Sequence, residues 1–393
     1  MALPNYMTNV SLDNTLDLIR QIAESTVRDE AVVVDQEAKW PEQSMRTLQR
    51  EGVAGFVVPK ESGGLEHGLM GLAKACETIG EESASAGLCF GMHCVGTAVI
   101  AAKATDYQKK HFLEPIAAGE HITTLALSEP GTGAHFYFPQ TQLLSLSEDE
   151  YVLRGKKTFV TNGGKADSYV VSTMGVDPDA MQHEFSCMVV EADRQGLIWG
   201  EKWDGIGMRG NSSRSLTLDN VKVPSKNLLG EQGDQLWYVF QVVAPYFLTA
   251  MSGTYLGVAQ AAFNEVREHL QNRTYRHDGT SLSQNQLLQH RLGSIWAKIE
   301  RTRQLIYHAT RQYDSGDPAA VLTIISSKAE VAHCVVDVVN ECMTLAGGIA
   351  YRENSKLEML LRDARAAHVM APTTDILYTW LGRTLLEQPI LDS

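Results

Sequence analysis

Near Ile122 the apolar residues of this chain stop recurring every three or four positions and begin to alternate, and past residue 226 the longer period returns. The longer period belongs to an amphipathic helix and the shorter to a half-buried strand. One segment cannot satisfy both, so the chain must change architecture twice. Before the first switch, Leu12, Leu16, Ile19, Ala23 and Val27 fall at helical spacing, and helical patterns return over 68–104 and 107–118. Between them, 52–59 with Gly63 and Gly64 reads as a short extended piece and a turn. Alternating runs then occupy 124–128, 151–161, 168–174, 185–191 and 215–223, separated by Gly, Pro, Asp and Asn. After Asp234, long helical patterns cover 234–272, 285–314, 318–346 and 356–387, joined by short loops as in a bundle. The expectation is an α+β chain in three parts: an N-terminal helical domain at 1–122, a small middle β-barrel or sandwich domain at 123–226, and a C-terminal four-helix bundle at 227–393.

Charge and cysteine usage narrow the function classes. A formal net charge of −13 argues against nucleic acid or an anionic membrane as partner. No apolar run reads as long enough to span a bilayer, and the start has no basic-then-apolar signal pattern. Six cysteines stand at 76, 89, 94, 187, 334 and 342, without Cys-x-x-Cys or paired histidine spacing. That usage predicts reduced thiols in a cytoplasmic protein and no metal site.

Three stretches carry chemistry. The strand-like run Lys156-Lys157-Thr158-Phe159-Val160-Thr161 ends in the turn Asn162-Gly163-Gly164. Phe159 offers a stacking face, and Thr161, two residues on, points its hydroxyl the same way. Upstream lies Leu125-Ala126-Leu127-Ser128-Glu129-Pro130-Gly131-Thr132-Gly133, and downstream Gly207-Met208-Arg209-Gly210-Asn211-Ser212-Ser213. In that order and spacing they resemble the acyl-CoA dehydrogenase family of flavoproteins, and the resemblance runs nearly the whole chain.

The resemblance implies FAD held between the β domain and the C-terminal helices. Leu127, Ser128, Gly133 and Ala134 would line the flavin by backbone and hydroxyl contacts, with Ala134 and His135 where Ser and Asp are usual. Phe159 and Thr161 would flank the isoalloxazine ring, and the hydroxyl would tune its electronics. Arg273 would meet the FAD pyrophosphate, which its planar fork fits, with Gln286 opening the next helix. Gly347 and Gly348 match a turn that reaches a neighbouring subunit's FAD, which implies a homotetramer. Thr373 follows the active-site loop, and Asp375 falls at a position the family uses for the cofactor.

The same resemblance implies a dehydrogenase of the CH–CH class (EC 1.3) that oxidises an acyl thioester, on coenzyme A or a carrier protein, and passes electrons to an electron-transfer flavoprotein or oxygen. Such chemistry needs a carboxylate within reach of the α proton. At the two places where the family puts that Glu, this chain has Ala371 and Phe247. Both are expected in the substrate pocket, together with His93, and the catalytic base is unassigned. Two other readings stand beside this one: a flavin-dependent monooxygenase on the same fold, and a non-catalytic flavin-binding partner subunit.

Overall fold

A computed structural model describes residues 11–133, 135–175 and 185–391. The N-terminal helices are α1 (Leu12–Ile22), α2 (Arg28–Gln36), α3 (Glu42–Arg50), α4 (Leu69–Glu82), α5 (Ala84–Ala102), α6 (Asp106–Gln108) and α7 (Glu114–Ala117). The pattern over 68–104 breaks at Ser83, whose extended backbone ends α4 and whose hydroxyl accepts from Ala86 N–H to cap α5. Residues 53–55 form a 3-10 turn rather than an extended piece. Gly52, at φ 77°, supplies the left-handed residue that starts it.

Among the described residues eight strands follow: β1 (Thr123–Ala126), β2 (Gln142–Ser145), β3 (Glu150–Val160), β4 (Ser168–Met174), β5 (Phe185–Glu191), β6 (Leu197–Trp199), β7 (Arg214–Pro224) and β8 (Leu228–Leu229). They form two four-stranded sheets, ordered β1-β4-β5-β8 and β2-β3-β7-β6. β1 runs parallel to β4, from Thr123 opposite Ser168 to Ala126 opposite Val171, and the other pairings are antiparallel. The short β2, β6 and β8 lack a readable alternation. They are recruited by pairing with longer neighbours.

The C-terminal helices are α8 (Gln235–Tyr238), α9 (Ala244–Asn272), α10 (Gln286–Asp314), α11 (Ala320–Ala346), α12 (Lys356–Val369) and α13 (Thr374–Leu385). The single pattern over 356–387 is therefore two helices. Pro372 has no N–H to continue α12, and Thr373 restarts the chain by accepting from Ile376 N–H as the cap of α13. α4 and α9 cross in close contact. A Cβ at Gly257 would lie 2.3 Å from Glu77 O, so only glycine allows the helix backbones this near.

One sequence expectation is corrected. Two helical stretches, Ala84–Ala102 and Leu236–Asn272, are long and apolar enough to cross a membrane by length and composition. Their apolar windows are 94% and 89% buried within the protein, so here that apolarity serves core packing.

Candidate functional site

Where the β region meets α5, α9 and α12 lies a cavity of about 760 Å³. Leu127, Ser128, Gly131 and Gly133 form one wall. Thr158, Phe159 and Thr161, at the end of β3, form the next. Trp203, Gly207, Met208, Asn211 and Ser213 come from the approach to β7. Leu88 and Met92 of α5 face Val243, Ala244 and Phe247 at the start of α9, and Val369 to Thr373 close the remaining side.

Local chemistry explains how these walls stand. Thr158 N–H donates to Ser128 O at 2.8 Å, which ties the first two walls together. Gly131 and Gly133 hold left-handed backbones at φ 87° and 55°, with nothing within 4 Å of where a Cβ would sit. Their backbone is thus open to a ligand. Phe159 is 66% exposed at φ 53° and meets Trp203 edge-on, with ring centroids 6.1 Å apart. Asn162, also left-handed, is buried and braced on both ends of its carboxamide, by Trp40 Nε1 at 2.8 Å and Cys89 O at 3.0 Å. Thr161 Oγ1 and Ser213 Oγ lie 3.3 Å apart on the cavity side.

Glu129 is the sole ionisable side chain on the cavity wall among the described residues, and it is engaged. Its Oε1 accepts from Lys157 Nζ at 2.6 Å and from the hydroxyl and N–H of Thr141 at 2.7 and 3.1 Å, and its Oε2 accepts from Gln140 N–H at 2.7 Å. Lys157 is fully buried and also donates to Ser172 O at 2.6 Å. Burial pulls its ammonium down while Glu129 pushes it back up. Four donors thus commit this carboxylate to the wall, three on Oε1 and one on Oε2.

Two further clamps hold the far side. Lys328 of α11, completely buried, donates to Ala367 O at 2.8 Å, Pro372 O at 3.0 Å and Met370 O at 3.4 Å, fixing the last turn of α12 and the bend after it. On α12, Asp363 Oδ1 accepts from Met208 N–H at 2.6 Å, and Arg362 donates to Ile206 O at 2.8 Å and to both oxygens of Asp35. Burial pushes the Asp363 carboxyl up to about 7.

The sequence candidates divide sharply. Leu127, Ser128, Gly133, Phe159, Thr161, Phe247, Ala371 and Thr373 all meet at the cavity. Ala134 lies outside the described residues. Arg273, Gln286, Gly347, Gly348 and Asp375 are exposed and line no part of it. His93 is corrected: it is not a pocket residue. Its Nδ1 accepts from Thr123 N–H at 3.2 Å and its Nε2 lies 2.9 Å from Ala54 O, so a neutral ring ties α5 to β1 and to the 53–55 turn. Burial lowers its basicity, in keeping with that role. Its neighbours Leu88 and Met92 face the cavity instead. Sequence reasoning missed Lys157, Lys328, Trp203 and Asn211. A lysine inside an apolar helical run such as 320–346 was the one available signal for Lys328.

The family descriptions "Acyl-CoA dehydrogenase, N-terminal domain", "middle domain" and "C-terminal domain" match residues 12–120, 124–221 and 245–386. Fold and cavity thus define a flavin-dependent oxidoreductase, and the chain belongs to the acyl-CoA dehydrogenase family of flavoproteins. Among its relatives is an acyl-CoA dehydrogenase of Bacillus subtilis, 27% identical over 94% of this chain and 96% of that one. A cyclohex-1-ene-1-carbonyl-CoA dehydrogenase of Geobacter metallireducens is 28% identical over 95% and 97%. In fold, the butyryl-CoA dehydrogenase of Megasphaera elsdenii superposes with a TM-score of 0.89 over 98% of this chain and all of that one, at 24% identity.

The cavity fits the family's cofactor. The open glycine backbone at 131 and 133, the hydroxyls of Ser128, Thr158 and Thr161, and the exposed ring of Phe159 suit a planar, polar-edged ring system.

Proposed function

We propose that this protein is an FAD-dependent oxidoreductase that oxidises an acyl thioester, carried on coenzyme A or on an acyl carrier protein, at its α,β carbons, with an unusual base. The supporting observation is a cavity with two unlike halves. Polar backbone and hydroxyls from 128–133 and 158–161 face apolar Leu88, Met92, Val243, Phe247 and Met370. The first half suits the flavin and the second an acyl chain.

When bound, FAD would supply the acceptor for the hydride, with its electron pair, that leaves the β carbon as the α carbon gives up a proton. Leu127, Ser128 and Gly133 on the cavity wall, with Ala134 beside them in the chain, would hold its ring edge, Phe159 would pack on the ring, and Thr161 would donate at its edge. Phe247 and Ala371 flank the acyl group and exclude water. Arg273 meets the FAD pyrophosphate, with Gln286 opening the next helix, Gly347 and Gly348 complete a neighbouring subunit's cofactor site in a homotetramer, and Thr373 and Asp375 at the start of α13 serve the cofactor. Electron-transfer flavoprotein or oxygen takes the electrons, and the protein works in the cytoplasm. The chain divides after residues 122 and 226.

One observation favours the second reading, a flavin-dependent monooxygenase: no uncommitted carboxylate lines the cavity among the described residues. The test is anaerobic mixing of the FAD-loaded protein with butyryl-CoA and octanoyl-CoA. Bleaching is expected to be slow, since removing a positioned base typically costs about 10²–10⁴ in rate. Ala371→Glu should accelerate it. Brisk bleaching of the native protein would show a base outside the residues named here, and a protein that takes up no FAD would overturn the assignment altogether.

A further inference from the structure

We propose that the carboxamide of Asn211 is a hydrogen-bond donor for an uncharged carbonyl seated in the cavity, a binding role distinct from those of the flavin-flanking residues named above. Asn211 lies on the cavity wall and is only 4% exposed. Its backbone is occupied: the N–H donates to Met208 O and the carbonyl accepts from Asn162 N–H, both at 3.1 Å. Its Oδ1 accepts from Ser213 N–H at 2.7 Å. That bond fixes which end of the amide is which, because only the oxygen can accept.

The NH2 end is left over. It has no partner among the described residues, yet it is not among their sealed, unpartnered side-chain atoms. An atom that keeps open surface on a residue this buried opens on the void beside it. Two N–H donors facing a largely apolar cavity are costly unless an acceptor arrives.

The acceptor's chemistry follows from the surroundings. No cation joins Asn211 on the cavity wall among the described residues, so an anion is disfavoured. A neutral carbonyl oxygen fits. Two sources bring one, the dione edge of the flavin ring and the thioester carbonyl. Ser213 links the donor to the ring side, since its N–H holds Asn211 and its hydroxyl lies 3.3 Å from that of Thr161. The inference rests on the FAD-dependent thioester reading above.

Asn211→Asp is the informative variant. It retains an oxygen for Ser213 N–H and replaces only the donor, and Asn211→Ala controls for the added charge. Three quantities are read on native and variant proteins: the dissociation constant of FAD from the apoprotein, the visible absorption bands of the bound flavin, and the binding of butyryl-CoA and octanoyl-CoA to the FAD-loaded protein. Loss of one donor to a neutral acceptor weakens the affected ligand about tenfold. A shifted flavin band with weaker FAD places the ring against Asn211. An unchanged flavin with weaker thioester binding places the substrate carbonyl there. If both variants match the native protein in FAD affinity, spectrum and thioester binding, the inference is wrong. If the native protein binds neither thioester, FAD alone decides, and unchanged FAD overturns it. A native protein that takes up neither FAD nor thioester removes the functional reading and this inference together, an outcome distinct from variants that match a working parent.

Discussion

Replacing Lys328 by methionine tests how the 367–373 wall of the cavity is held. Methionine keeps the length and the apolar stem and removes the ammonium. Two effects then oppose each other. The carbonyls of Ala367 and Pro372, bound at 2.8 and 3.0 Å, lose their donor, and each buried unpaired group costs about 1–3 kcal/mol. The contact to Met370 O, at 3.4 Å, is weaker and adds little. Against this, the variant no longer buries a charge. Burial pulls the Lys328 ammonium from 10.5 down to about 8, a difference worth about 3 kcal/mol. Near neutral pH the net loss is therefore about −1 to 3 kcal/mol. The sign with pH follows from where the proton sits. The folded state releases it more readily than the unfolded, so the lysine's stabilising share is present in full above 10.5 and is lost as pH falls through about 8. The gap between native and variant proteins should widen by about 2–3 kcal/mol as pH rises from about 7 to about 10. Urea midpoints of both proteins across that range measure it, since groups common to both cancel in the difference. A gap that stays constant, or narrows toward alkaline pH, would refute the reasoning.

Three other expectations concern the same walls. Gly207→Ala would set a Cβ 2.4 Å from Arg362 O and 2.9 Å from Asp363 N, both backbone atoms, so the loop must lift from α12 at a cost of about 1–3 kcal/mol; a melting temperature within error of native would contradict this. Asp363 keeps its proton up to about 7 in the fold, so its share of stability is present below 3.8 and is lost as pH rises through about 7; Asp363→Asn should flatten that part of the stability profile, and an unaltered slope would disprove the assignment. Lys157→Met leaves Glu129 buried and unpaired and should cost about 3–5 kcal/mol, largely recovered by adding Glu129→Gln; single and double variants equally unstable in denaturant would show that the pair is not the cause.

How much of this was readable without coordinates depends on the range over which each feature acts. Leu127, Ser128, Gly133, Phe159 and Thr161 were legible because they fall within two short stretches of one small β region, just after β1 and at the end of β3, joined by the backbone bond between Ser128 and Thr158. The family pattern also singled out Phe247 and Ala371, each at a fixed place on a long helix or just after one, and both line the cavity. His93 failed because an apolar helix buried nearly all round gives no sign of which face meets a void and which a neighbouring backbone.

Alone, the sequence determined the layers of this protein and the residue types of its cavity. Apolar periodicity is a local property, and it decides which face of each segment must be buried. Only the tertiary structure decided which buried polar groups would meet. Glu129, in the loop after β1, is joined to Lys157 of β3, Lys328 reaches three carbonyls around the bend at Pro372, and Asp363 holds Met208 from 155 positions away in the chain. No local pattern encodes these pairings. A buried polar group must be satisfied by whatever the packing brings within reach, and that is fixed only when the helices and sheets have closed on one another.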